Sequence, residues 1–274
     1  MVAELQLRGV YVPLVTPFDR HDRVDLEALE RLTDDVLAAG AAGVVALATT
    51  GEPTSLDDEE RDAVVAACSR VCTDRGAGLI VGAGTNDTRT TLGRHEALAD
   101  VPGVTASLAV VPYYVRPTEA AIVAHFQLVA ARSPVPLITY NVPYRTGQGL
   151  AAASLLELAA TDNIAGVKQA VGAIDADTLS VLARSPEEFA LLGGDDPYLF
   201  PLTLMGAPGA PGAIAASANL YTQRFVAMIE HGLAGEVGHG RAHAEGRIPT
   251  ADARMPLSNA SATAVQQALA VRPV

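Results

Sequence analysis

Lys168 is the only lysine in a chain of 274 residues that also carries eighteen arginines. It ends the apolar run Ile164-Ala165-Gly166-Val167. A lysine placed there is partly desolvated, which disfavours the ammonium and lowers its pKa toward neutrality. The neutral amine adds to a ketone or aldehyde and gives a Schiff base, and the iminium then acts as an electron sink for the neighbouring carbon. Arginine cannot do this, because its guanidinium stays protonated. The plainer alternative is a salt-bridged lysine, or one whose head reaches solvent.

Other residues supply what Schiff-base chemistry needs. Protons must move on and off the intermediates, and a tyrosine hydroxyl within reach can shuttle them. Tyr140 and Tyr114 are candidates on neighbouring strands, with a threonine hydroxyl linking them; each tyrosine is otherwise ordinary packing. A 2-oxo acid needs its carboxylate held, and Thr49-Thr50-Gly51 lies where hydroxyls and backbone N–H groups open a helix. Arg145 can hold a second carboxylate bidentately.

Weaker signals have plainer explanations. Asp195 and Asp196 read as caps of the seventh helix rather than metal ligands. "GAGTND" (82–87) is an incomplete glycine motif and reads as a strand-to-helix turn. Cys68 and Cys72 exclude a disulfide scaffold by number and read as buried free thiols. His239 and His243 can share a helical face but lack a third ligand nearby in sequence. No metal and no cofactor is expected.

The elements that position these residues are legible as an alternation. Apolar runs at 9–15, 43–48, 79–83, 105–111, 136–140, 164–168, 189–193 and 212–216 read as strands. They are continuously apolar, as strands buried on both faces of a parallel sheet are. Between them lie helical patterns. Asp25 and Gly40 bracket one, Ser55 with Asp58 resembles a capping box, and Thr118 opens another. Further patterns fill 87–99, 150–160, 175–184, 196–206 and 219–233. Eight such pairs point to an α/β chain folded as a (β/α)8 TIM barrel over 1–233, with a doubly wound open sheet as the alternative. Residues 234–274 read as a short C-terminal helical extension, with a helix at 255–270. In such barrels the active site lies at the C-terminal ends of the strands. Thr49, Tyr114, Tyr140, Arg145, Lys168 and Asp195 all fall there.

Bulk properties exclude several classes. A formal charge of −12 argues against nucleic acid or an anionic membrane as the main partner. There is no apolar run of roughly 18 residues, as a membrane helix requires. The N-terminus lacks the features of a signal peptide, so a cytoplasmic location is expected.

Seven segments in order, "VTPF" (15–18), "ATTGEPTSL" (48–56), "PYYVRP" (112–117), "YNVPYRTG" (140–147), "GVKQAVG" (166–172), "GGDD" (193–196) and "GAIAASAN" (212–219), resemble the dihydrodipicolinate synthase and N-acetylneuraminate lyase family. The resemblance runs from about Gly9 to Leu220. It implies a class I, lysine-dependent pyruvate aldolase on a (β/α)8 barrel. It implies that Lys168 forms the Schiff base and that Tyr140 is the general acid/base. Thr49 and Tyr114 would complete a proton relay, with Tyr114 reaching into a neighbouring subunit's site. Thr50, beside Gly51, would bind the pyruvate carboxylate, Arg145 the aldehyde's carboxylate, and Ile214 would offer backbone. It also implies a homotetramer built from tight dimers.

The Arg of "YNVPYRTG" and the double Thr resemble the synthase branch, whose members condense pyruvate with aspartate semialdehyde in lysine biosynthesis. Departures keep a sibling aldolase with another aldehyde open: Gln169 stands where an acidic residue is common, and Val171 and Ala215 replace small polar residues. Pro53, Asp58 and Arg61 differ from the residues that bind feedback lysine in inhibited members, so no lysine inhibition is implied. A segment of two helices usual in the family is absent between Glu245 and Gly246, and "GAPGAPGAI" resembles a small insertion. The shortened end motivates a third alternative, a non-catalytic barrel that binds a 2-oxo acid.

Overall fold

The computed structural model describes residues 6–205 and 210–236. Eight parallel strands close into a barrel in chain order. They are β1 (Gly9–Pro13), β2 (Gly43–Ala46), β3 (Gly78–Gly82), β4 (Val104–Val110), β5 (Leu137–Asn141), β6 (Ile164–Gln169), β7 (Ala190–Gly193) and β8 (Gly212–Ile214). β8 returns to β1, with Ile214 opposite Tyr11. The (β/α)8 expectation holds, and the open sheet is excluded by this closure.

The strands read as continuously apolar because both of their faces are covered. Alternate residues point inward, and Tyr11, Val45, Ile80, Ile138, Leu192 and Ile214 fill the barrel interior. Their neighbours point outward under two helical layers. Val10, Val44 and Val81 pack with α1 (Leu26–Ala38), α2 (Asp58–Arg75) and, across the seam, α9 (Ala218–Leu233). Ala109, Leu137 and Val167 pack with α4 (Glu119–Arg132), α6 (Ala152–Ala159) and α7 (Ala176–Arg184). Fully burying each such Val, Leu or Ile is worth roughly 1.5–3 kcal/mol, so the repeat itself stabilises closure.

Helix ends follow side-chain chemistry. Asp25 caps α1 by accepting from the Ala28 N–H, and Gly40 beyond its end has φ 98°. Thr118 caps α4. The box expected at Ser55 and Asp58 lies instead at Asp57 and Glu60, which bond each other's backbone N–H groups at 2.8 and 3.2 Å. Leu56 is extended, which separates Ser55 from the helix and makes Asp57 the first residue able to cap it.

Three further points differ from the sequence reading. α3 (Thr88–Glu96) stops short of residue 99 and passes into a 3-10 turn. A short helix, α5 (Pro143–Thr146), follows β5 and was not expected. The stretch 196–206 is broken into a 3-10 turn at Asp196–Tyr198 and α8 (Leu199–Thr203); Pro197 and Pro201 each remove a backbone donor there. The cysteines are buried and free, as expected. The 255–270 helix, His239 and His243, the Glu245–Gly246 junction and most of the "GAPG" repeat lie outside the described residues. Among the described residues, no helix is long and apolar enough to cross a membrane.

Candidate active site

The C-terminal rim of the barrel gathers most of the residues singled out in the sequence. Lys168 projects inward near the end of β6 and is 5% exposed. Tyr140 occupies the same level on β5, directly opposite in register, and is equally buried. The Lys168 Nζ lies 4.4 Å from the centre of the Tyr140 ring. Burial holds the Lys168 amine down at about 8, although the nearby Asp196 and Asp195 carboxylates pull it upward. Burial likewise pushes the Tyr140 phenol up to about 12, with Tyr144 adding to the effect. That phenol is therefore protonated at neutral pH. It can pass a proton along a chain but does not take one outright. Thr49 lines the cavity with it, and its side chain pulls the phenol's pKa the other way.

Thr49, Thr50 and Gly51 form one 3-10 turn after β2 rather than the start of a long helix. The turn is clamped from below, where the Thr16 hydroxyl donates to the Gly51 carbonyl at 2.7 Å. Leu47 and Glu52 on either side have φ of 55° and 51°. Tyr114 and Arg116 on the rim also lie in the left-handed region. Left-handed backbone at non-glycine residues is strained, and here it clusters where the chemistry would be.

Arg145 sits on α5, exposed, beside the Tyr144 ring. A cavity of about 570 Å³ opens at this end. Tyr140, Thr49, Arg145, Arg61 and Arg94 are among the residues that line it. Ile214 is fully buried at the end of β8 and packs in the barrel interior.

Tyr114 is not brought to Tyr140. It is 86% exposed at the turn after β4, and its backbone N–H donates to the Thr146 carbonyl at 3.3 Å. The left-handed turn swings the ring outward, while Tyr113 lines the cavity.

The Asp195-Asp196 pair does not cap a helix with its side chains. Asp195 instead accepts from the Tyr144 hydroxyl at 2.9 Å and the Gly172 N–H at 2.7 Å. This ties the loops after β5, β6 and β7 together. Asp196 accepts from the Ser217 hydroxyl, and its other oxygen is buried without a partner among the described residues. Burial raises its pKa, against the opposing pull of Ser217 and Lys168. Ser217 and Tyr144 escaped sequence reasoning, since neither lies at an informative spacing. Gly194 also belongs to the site, because a Cβ there would lie 3.0 Å from Lys168 Cε and 2.9 Å from Ala170 Cβ.

Comparison with known proteins agrees with this geometry. The model of the dihydrodipicolinate synthetase family matches residues 6–271. The chain is 37% identical over 223 residues to the 4-hydroxy-tetrahydrodipicolinate synthase of Synechocystis, covering 81% of this chain and 72% of that one. It is 38% identical over 226 residues to the enzyme of the same name from Porphyromonas gingivalis, covering 82% and 74%. Among solved structures, a dihydrodipicolinate synthase from Acinetobacter baumannii complexed with pyruvate superposes with a TM-score of 0.88 at 28% identity, covering 97% and 98%. This chain belongs to the dihydrodipicolinate synthetase family.

Proposed function

We propose that this protein is a class I lyase that condenses pyruvate with L-aspartate 4-semialdehyde, giving 4-hydroxy-tetrahydrodipicolinate for lysine biosynthesis. The observation that carries the reading is the desolvated Lys168 amine at the mouth of the barrel, faced by Tyr140. A pKa of about 8 leaves roughly a tenth of the amine neutral at pH 7, against roughly one part in 3,000 at the ordinary value.

The neutral amine attacks C2 of pyruvate, and its proton passes to the carbinolamine oxygen. Water then leaves and the iminium forms. Loss of a methyl proton gives the enamine, whose carbon attacks the aldehyde while the aldehyde oxygen takes a proton; the amine of the semialdehyde then adds to C2, closes the ring and displaces Lys168, which leaves as the free amine. Tyr140 and Thr49 carry the proton at each step, and Tyr140 works as a relay because its phenol stays protonated. Thr50 and the Gly51 backbone hold the pyruvate carboxylate, and Ile214 supplies backbone on the far side. Exposed Arg145 on its short helix receives the carboxylate of the aldehyde. The exposure of Tyr114 supports its role as the last relay group of a neighbouring subunit, in a cytoplasmic homotetramer built as a dimer of dimers. The relatives' shared name supports the choice of aldehyde over that of a sibling aldolase.

The test is to mix the protein with pyruvate, reduce with borohydride and map the peptides. Only Lys168 and the N-terminal amine can form a reducible imine. An adduct on the 163–172 peptide, together with turnover of aspartate semialdehyde, is expected. An adduct without turnover would point to another aldehyde. No adduct on that peptide would overturn the enzyme reading and leave a binding barrel.

A further inference from the structure

Three consecutive loops of the barrel mouth meet on one carboxylate. β6, which carries Lys168, pairs with β5 on one side and β7 on the other. Asp195 lies just beyond the end of β7. One of its oxygens accepts from the Tyr144 hydroxyl at 2.9 Å, and the other from the Gly172 N–H at 2.7 Å. Tyr144 belongs to the loop after β5, and Gly172 to the loop after β6. The Tyr144–Asp195 bond therefore bridges from the β5 side to the β7 side, across the strand of the lysine. A phenol bonded to a carboxylate makes a charge-assisted hydrogen bond, and here a backbone donor holds the carboxylate as well. Tyr144 is 59% exposed, so burial does not account for where its ring lies.

We propose that Tyr144 is a positioning residue for the second substrate: anchored on Asp195, its ring holds Arg145 where the carboxylate of the aldehyde is received. The inference rests on the functional reading above and says what keeps its second-substrate seat in place. Arg145 is the next residue on α5, and its guanidinium carbon lies 5.8 Å from the centre of the Tyr144 ring. Among the described residues, Arg145 takes part in no ion pair. A long exposed side chain of this kind samples many rotamers, and ordering it on binding costs entropy. A cation is attracted to an aromatic face, and the face directs it best when the ring itself is fixed. The hydroxyl bond supplies that fixing. It also ties down α5, a helix of four residues that starts at Pro143 and ends before Gly147, too short to be rigid by itself. The place suits the task. Asp195 and Arg145 both lie near enough to Lys168 to act on its charge, with opposite signs. A short aldehyde whose carboxylate rests on Arg145 can therefore reach the lysine with its other end.

Tyr144→Phe keeps the ring and removes the anchor. It should raise the KM for aspartate semialdehyde about three- to tenfold, the loss of one hydrogen bond, and change kcat by less than about twofold. Pyruvate trapping should keep its parental rate and pH midpoint. Asp195→Ala removes the anchor together with a charge that raises the Lys168 pKa, so its KM should rise similarly while its trapping midpoint falls below about 8. Adding Tyr144→Phe to Asp195→Ala should raise KM no further, because both changes break one contact. A second measurement needs no turnover. The Nε–Hε signal of Arg145, assigned by its loss in Arg145→Met, should be ordered in the parent and mobile on the ps–ns scale in Tyr144→Phe. A parent that traps pyruvate without turning over aspartate semialdehyde would fail the choice of aldehyde, and the NMR comparison would then decide the positioning role alone. The proposal is overturned if Arg145 is equally mobile in both proteins, if Tyr144→Phe keeps the parental KM, or if the two substitutions raise KM additively. It is also overturned if Tyr144→Phe slows pyruvate trapping as much as it raises KM, which would show a general loss of the site.

Discussion

Lys168 places its amine 4.4 Å from the centre of the Tyr140 ring, across two adjacent strands of one barrel. Burial favours the neutral amine, while the ring face and the Asp196 carboxylate favour the ammonium. Burial wins, and the amine titrates at about 8. Imine formation with pyruvate should therefore rise about tenfold from pH 6 to pH 7 and level off above pH 8. Tyr140, at about 12, adds no falling limb below pH 9. Borohydride trapping rates across pH 6–9 check this. A flat profile, or a midpoint near 10.5, would contradict the assignment.

The same burial costs stability. The folded-state pKa lies below the unfolded value of 10.5, so between pH 10.5 and 8 the unfolded chain binds a proton that the folded chain refuses. Stability is lost as pH falls through that window and stays lost below it. The shift corresponds to about 3 kcal/mol. Lys168→Met should abolish trapping and yet be more stable at pH 7 by an amount of that order. Equal or lower urea midpoints for the variant would sink the idea.

Gly194 is required by contact rather than by backbone freedom. A methyl group there meets Lys168 Cε at 3.0 Å, Ala170 Cβ at 2.9 Å and the Gln169 carbonyl at 3.1 Å. Gly194→Ala should displace the lysine and slow trapping by at least about tenfold, because a misplaced nucleophile loses its attack geometry. The destabilisation expected of overpacking is about 1–3 kcal/mol. A variant that traps pyruvate at the parental rate would show that the lysine has room to move.

Much of this was legible in the chain because closure of a parallel barrel imposes a visible repeat. Apolar runs such as 164–168 are buried on both faces and leave little else to be. Lys168 stood out because it breaks that run at its C-terminal end. Asp195 and Asp196 were misread for a physical reason. Aspartates before a helical pattern normally cap it, and only the tertiary arrangement brings Tyr144, Gly172 and Ser217 to them instead. Gln169 is a similar case. In sequence it is only a departure from an acidic residue. In the fold its buried amide accepts from Asn141 at 3.1 Å and donates to Thr178 at 3.0 Å, joining β5, β6 and α7. Asn141 in turn holds Leu150 through both backbone groups, closing the loop that carries Arg145.

Arg145 is exposed on that loop and stacks near Tyr144, at 5.8 Å from the ring centre. Its role in the proposed reaction is confined to the second substrate. Arg145→Met should raise the KM for aspartate semialdehyde by about 10- to 100-fold, the loss expected for a charge-assisted contact. Trapping by pyruvate alone should stay within about threefold of the parent, since burial rather than the Arg145 charge is the main cause that holds the Lys168 amine down. Steady-state kinetics with each substrate varied in turn separate the two effects. An equal loss in pyruvate trapping would assign Arg145 to the first half-reaction instead.

Acid should weaken the fold at a place remote from the rim. His95 on α3 is fully buried, and His125 on α4 is 6% exposed. The Nδ1 atoms lie 2.8 Å from the Thr91 carbonyl and 2.9 Å from the Thr88 hydroxyl, whereas each Nε2 is buried without a partner among the described residues. Burial, and then the charge of His95, push His125 down to about 4, with Asp87 pulling weakly the other way; burial also lowers His95. Both groups bind protons more readily in the unfolded chain. Their contribution is intact above pH 6.5 and is lost as pH falls toward 4. For His125 alone the loss amounts to about 3 kcal/mol. His125→Leu keeps the packing against Phe126, whose ring lies 5.2 Å away, and removes the titration. The variant should lose less stability than the parent between pH 7 and 5 in urea unfolding. Parallel pH curves for the two proteins would place the acid sensitivity elsewhere in the molecule.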